Sequence, residues 1–226
     1  MLALSFTEEN YLKAIYYLQQ DSNTQDVSVN DIAERMSTRP ATVTDMMRKL
    51  SEKQLINYEK YKKTHLSKAG LEAVLQVVRK HRLWEVFLHD KLGFSWDEVH
   101  EVAEELEHIK SQKLIERMDA YLGFPRFDPH GDPIPNAEGE IQPASSLTLS
   151  EAEPKKKLKL VAVKDASAAF LQHLERFGLQ IGTLLTVREH LPFDGSVMIS
   201  IDKKTPIMLS DKITANLLVI ESSRGK

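Results

Sequence analysis

The sequence predicts a mainly α fold with a β component: an N-terminal winged helix-turn-helix, a helical middle region and a small C-terminal β module. Three observations carry this prediction. Two short apolar-periodic segments are broken at Ser37-Thr38-Arg39-Pro40 and followed by a basic turn between two β-like runs. The segments that come next keep a helical period and place His and Glu residues on it. Beyond a small, polar stretch at 136–156 the pattern shortens to β-like runs separated by Gly and Pro.

Taken in order, Thr7 is a good helix N-cap, and Glu8 and Glu9 suit the positive end of a helix that runs to about residue 20 on Tyr11, Leu12, Ile15, Tyr16 and Leu18. Residues 28–36 form a short helix with Ile32, Ala33 and Met36 inward. Pro40 fits the first turn of the next helix, which carries Val43, Met46, Met47 and Leu50. Residues 55–66 read as two strands around Lys60, Lys62 and Lys63, the wing. A long helix follows from Ser67 to about Lys91, then helices over 95–109 and 111–122 that suit a dimer interface. Pro and Gly stop helix between Phe124 and Pro143. Strands are expected near 158–163, 184–188, 196–201, 206–209 and 217–220, with a helix over 168–177.

Charge is distributed unevenly. The 226 residues carry a net charge of −3, yet residues 35–68 hold nine basic side chains against three acidic ones, a local balance of +6. Such a patch attracts DNA phosphates, with counterion release as the main affinity term. Arg48, Lys60, Lys62 and Lys63 are placed for phosphates. Arg39, Pro40, Thr42, Thr44 and Asp45, at the start of the second helix of the motif, are placed for base edges or nearby phosphates.

Residues 97–108 are the acidic counterpart, with Asp97, Glu98, Glu101, Glu104, Glu105 and Glu107 and no Lys or Arg. On a helix, His100, Glu104, Glu107 and His108 share one face. Like charges at this spacing repel unless neutralised, and a divalent cation neutralises them. Imidazole with carboxylate suits manganese, ferrous iron, cobalt, nickel or zinc. His81 and Glu85, with His89 one turn on, repeat the pattern on the preceding helix.

Other classes are excluded or weakly supported. Without cysteine there are no thiolate zinc fingers, iron–sulfur clusters, disulfides or cysteine nucleophiles. His100-Glu101-Val102-Ala103-Glu104 begins like a zinc-protease motif but ends in Glu instead of His. The Glu105-to-His108 spacing has no second copy, as a di-metal carboxylate enzyme requires. Phosphate-binding Gly loops and nucleophile elbows are absent. A winged-helix regulator of another ligand is the nearest alternative, and a di-metal carboxylate enzyme a more distant one. No apolar run approaches the roughly 18 residues of a membrane span. The N-terminus lacks the basic flank and long apolar core of a signal peptide, so a cytoplasmic protein is expected.

Several stretches together resemble the diphtheria toxin repressor family of metal-dependent transcriptional regulators, including its manganese transport regulator branch. They are Glu9-Asn10-Tyr11-Leu12-Lys13-Ala14-Ile15-Tyr16, Val43-Thr44-Asp45-Met46-Met47-Arg48-Lys49-Leu50, His81-Arg82-Leu83-Trp84-Glu85-Val86-Phe87-Leu88, His100 through His108, and Phe127-Asp128-Pro129-His130-Gly131-Asp132-Pro133-Ile134-Pro135. The resemblance implies a winged-helix DNA-binding domain at 1–72, a helical dimerisation and metal-binding domain at 73–140, a linker at 141–156 and an SH3-like domain, akin to ferrous iron transport protein A, at 157–226. It implies a homodimer that binds Mn2+ or Fe2+ and docks on palindromic double-stranded operators to repress metal-uptake genes. By position, a primary site uses Asn10, Glu104, Glu107 and His108. A second draws on His81, Glu85 and His100, joined by Asp128 and His130, with Asp165 of the SH3-like domain as a further contact. The iron branch has Cys where this chain has Glu104, and a hard oxygen donor there favours manganese or ferrous iron. Position 10 is Asn, where the iron branch has Met and the manganese branch Asp.

Overall fold

The computed structural model describes residues 4–21, 26–58, 63–142, 146–201 and 205–222, which fall into two units. The first comprises residues up to His81 together with Glu105–Gln112 and Pro135–Glu140; the second comprises Arg82–Glu104, Lys113–Ile134 and the chain from Ile141 onward.

In the first unit, α1 (Phe6–Asp21) begins earlier than Thr7. Ser5 and Glu8 form the cap instead: the Glu8 carboxylate accepts from Ser5 N–H at 2.8 Å, and Glu8 N–H reaches back to Ser5 Oγ at 3.3 Å. Leu12 and Ile15 are fully buried. Helix α2 (Val29–Arg35) opens on a second capping box, between Ser28 and Asp31. It closes through Ser37, whose left-handed φ of 47° lets Thr38 N–H bond Ala33 O at 2.9 Å. Helix α3 (Pro40–Glu52) has Pro40 in its first turn and buries Val43, Met47 and Leu50.

The two wing strands are short: β1 (Ile56–Asn57) pairs antiparallel with β2 (His65–Leu66), and a bridge between Val27 and Thr64 extends the ladder. The basic turn expected between them lies partly outside the described residues, Lys60 and Lys62 included. Helix α4 (Lys68–Leu92) then rises against the wing base, where Ser67 Oγ donates to Gln54 O at 2.6 Å and accepts from Gly70 N–H at 3.0 Å.

The helix expected over 95–109 is shorter in the structure: α5 spans Val99–Leu106. Ser95 and Glu98 make a preceding turn, and Ile109 N–H closes onto Leu106 O at 3.2 Å. Glu107 and His108 therefore sit in the turn after the helix instead of on its face. An acidic C-terminal end opposes the helix macrodipole, which favours this early stop.

In the second unit, α6 (Gln112–Tyr121) precedes an irregular segment that leads to the β module. Six strands pair antiparallel in the order β3-β8-β4-β5-β6-β7, with β3 Leu147–Thr148, β4 Lys157–Val163, β5 Leu184–His190, β6 Val197–Ile201, β7 Ile207–Leu209 and β8 Leu217–Glu221. Strand β3 and the 3-10 turn Leu149–Glu151 lie inside the stretch read as a linker, and Leu149 is fully buried. The sheet packs on α7 (Ala168–Arg176), with a single turn, α8 (Asp211–Thr214), before the last strand. Its core of Leu158, Leu160, Leu171, Leu174, Val187 and Ile199 also includes Trp96, from the loop ahead of α5.

Candidate metal centre and nucleic-acid interface

In the first unit the chain brings α1, α4 and the turn after α5 to one buried carboxylate. Glu107 is fully buried, and its Oε2 lies 2.6 Å from Lys13 Nζ and 2.7 Å from His81 Nδ1. Burial alone raises the carboxyl pKa, but the His81 hydrogen bond and the Lys13 ammonium outweigh it and hold Glu107 below its usual value. Beside it, His108 is fixed from the other side: Nδ1 lies 2.5 Å from Glu9 Oε2, and the ring packs on Phe6 with centroids 3.9 Å apart. Lys80 Nζ lies 4.0 Å from Glu9 Oε1.

Among the described residues, the buried side-chain atoms of this unit that make no hydrogen bond include three from the predicted primary ligand set, Asn10 Oδ1, Glu107 Oε1 and His108 Nε2, besides Thr64 Oγ1. Glu107 Oε1 and His108 Nε2 are 3.5 Å apart. An unmade hydrogen bond at a buried acceptor costs roughly 1–3 kcal/mol, and an electrophile bound by these three atoms would relieve that cost. The contact of Nδ1 with a carboxylate turns Nε2 toward Glu107 Oε1, the arrangement in which a carboxylate orients a metal-binding histidine. Two oxygens and one imidazole nitrogen fit a hard to borderline divalent cation. Glu9, whose carboxylate contacts His108, is not among the sequence-predicted ligands. In the sequence it stands as a charge suited to the helix end and as the first residue of the Glu9–Tyr16 stretch, and its position next to Asn10 is the available signal.

The second unit holds another cluster. One ligand atom each from Glu85, Asp128 and His130 lies within 4.8 Å of the others, and all three residues are buried. His130 Nδ1 is 3.6 Å from Glu85 Oε1, and Nε2 donates to Trp96 O at 2.7 Å. Asp128 Oδ1 accepts from His130 N–H at 2.8 Å and Asp132 N–H at 3.0 Å, which bends the loop, while Arg82 Nε stands 3.5 Å from Oδ2. Burial opposes the His130 imidazolium, but Glu85 and Asp128 raise its pKa to about 9; burial and the Glu85 charge push Asp128 up. Gly131, at φ +88°, is required here: a Cβ would meet Val161 O at 2.0 Å.

His100 borders this cluster, with Nδ1 3.4 Å from Glu85 Oε1 and Nε2 3.5 Å from Glu104 Oε1. Asp165 does not join it; its carboxylate accepts from Ser167 N–H at 2.9 Å at the entry to α7.

Helix α3 buries one face and exposes the other. Arg39, Pro40, Thr42, Asp45 and Arg48 are exposed, and Thr44 is half-buried with its hydroxyl donating to Pro40 O at 3.0 Å. Arg48 Nη1 and Asp45 Oδ1 are 3.4 Å apart in a solvated pair that leaves the guanidinium free to exchange partners. Lys63 is exposed as well.

Family models match the chain in succession: the iron-dependent repressor N-terminal DNA-binding domain over residues 3–64, the iron-dependent repressor metal-binding and dimerisation domain over 67–136, and the FeoA domain over 147–221. A manganese-dependent transcriptional repressor solved in complex with manganese is 34% identical, with a TM-score of 0.84 over 95% of this chain and 100% of that one. The chain belongs to the diphtheria toxin repressor family.

ScaR with bound Cd2+ is a further structural relative in this repressor family, 36% identical with a TM-score of 0.78 over 95% of this chain and 99% of that one. The iron-dependent repressor IdeR of Mycobacterium tuberculosis is 33% identical over 129 residues, which is 57% of this chain and 55% of IdeR. The chain thus spans about half the length of the curated relatives it first matches. The family is one of transcriptional repressors and not of enzymes, so the carboxylate-enzyme alternative falls away. Its β module is of the SH3-like FeoA type. Among the described residues, no helix is long and apolar enough to cross a membrane.

Proposed function

We propose that this chain is a metal-dependent transcriptional repressor that takes Mn2+ or Fe2+ as corepressor and docks as a homodimer on palindromic operators of metal-uptake genes. The carrying observation is the trio of buried acceptor atoms, Asn10 Oδ1, Glu107 Oε1 and His108 Nε2, left without partners in the unit that bears the helix-turn-helix. A bound divalent ion supplies the positive charge these lone pairs lack. Glu9 holds the His108 ring so that Nε2 faces Glu107 Oε1, and His81 with Lys13 fixes the Glu107 carboxylate so that Oε1 is the oxygen left to bind. Glu85, Asp128 and His130 form a second ligand set, with the His100–Glu104 pair as further candidates.

The mechanism is linkage. Asn10 lies on α1, which packs on α2 and α3, whereas Glu107 and His108 follow α5. Joining these segments restrains the helix that supports the recognition helix, and so lowers the ordering cost of docking on DNA. Arg39, Pro40, Thr42, Thr44 and Asp45 meet base edges or nearby phosphates, and Arg48, Lys60, Lys62 and Lys63 meet phosphates.

Fluorescence anisotropy on a labelled promoter of a metal-uptake gene, with Mn2+, anaerobic Fe2+, Zn2+ or chelator, tests this reading. Chelator is expected to abolish specific binding, Mn2+ or Fe2+ to restore it, and His108→Ala to remove the metal response. Equal operator affinity with metal and with chelator would overturn it.

A further inference from the structure

One cation of the first unit has no role in the ligand set: the buried ammonium of Lys13. It comes from α1, one turn after Asn10, with its side chain only 9% exposed, and it lies 2.6 Å from Glu107 Oε2, on the carboxylate whose other oxygen is unpartnered. Removing one partner of a buried ion pair strands the other charge away from water, so the metal-free fold depends on this contact. The same contact places a fixed positive charge on the group that would bind a dication.

We propose that Lys13 is a tethered counter-ion of the metal centre: it neutralises Glu107 in the metal-free protein, confines an incoming ion to Oε1, and weakens affinity for divalent cations. This rests on the metal-site reading above. Without Lys13, Glu107 would be held by His81 alone, and a less compensated buried anion would bind a dication more tightly and destabilise the empty protein. With Lys13 present, both penalties shrink, and the centre can empty and refill as the free metal concentration changes.

The test compares Mn2+ titrations, by calorimetry and by thermal melting, for wild type, Lys13→Gln and Lys13→Arg. Gln keeps a donor toward Glu107 without the charge, and Arg keeps the charge. Lys13→Gln is expected to bind Mn2+ about tenfold tighter or more, because a like charge so close to the ion has been removed. It is also expected to melt lower than wild type without metal and to gain more on adding it; Lys13→Arg should stay near wild type. Should Lys13→Gln fold only with metal, the midpoint of Mn2+-induced folding reads its affinity directly. Unchanged or weaker Mn2+ binding by Lys13→Gln overturns the proposal. A wild-type protein that binds no Mn2+ or other divalent ion would sink the metal-site reading itself, a distinct outcome.

Discussion

At the residue scale, partners decide what each ionisable group does. Glu9 and Glu107 are both carboxylates of the first unit, yet one orients an imidazole and the other retains an unpaired oxygen. Glu8, beside them in sequence, is structural: Lys53 Nζ lies 2.6 Å from its carboxylate, which also caps α1. Burial pushes the Glu8 pKa up, but Lys53 and Ser5 outweigh it and hold it below the usual 4.5. Because the folded value is the lower one, its stabilisation is present above about pH 4.5 and is lost as pH falls through the folded value. Glu8→Gln is therefore expected to cost roughly 1 kcal/mol at neutral pH. Its melting temperature should converge on that of wild type as the buffer is taken from pH 5 toward pH 3; a gap that persists unchanged would place the effect elsewhere.

At the element scale, close approaches dictate where helices begin and end. Gly70 opens α4 so near the wing base that a Cβ would stand 1.9 Å from Leu55 O, a backbone atom that cannot swing aside. Gly70→Ala should destabilise by more than about 2 kcal/mol, read from the urea midpoint at constant m-value. The periodicity of the chain made the existence and type of α1 to α7 legible, because apolar faces recur at helical spacing. Ends were less legible. The cap of α1 moved to Ser5, since Ser5 and Glu8 satisfy each other's backbone donors. Likewise α5 stopped at Leu106 and put Glu107 and His108 in a turn. Strand β3 escaped notice because two residues carry no periodicity; it exists by pairing with β8.

At the scale of the whole molecule, the net charge of −3 conceals a basic segment at residues 35–68 and an acidic one at 97–108. Exposed bases that contact phosphate impose a salt dependence on DNA affinity. Arg48→Ala is expected to weaken operator and non-specific binding alike and to reduce the slope of log K against log salt by about one, measured by anisotropy across a salt series. A change confined to one base pair of the operator would instead assign Arg48 to base readout.

The sequence by itself determined the fold class, the order of the regions and the residue types of both candidate ligand sets, because helical period, charge clustering and His/Glu spacing are local properties of the chain. Only the tertiary structure decided which atoms remain available. Hydrogen bonds from distant segments consume Glu107 Oε2 and His108 Nδ1 and leave Oε1 and Nε2 bare. They also recruit Glu9 and Lys13, which spacing alone does not mark, and leave Asp165 engaged with Ser167 N–H. Burial is the physical reason: a donor or acceptor acquires a chemical role once water is excluded and its neighbours, far away in sequence, are fixed.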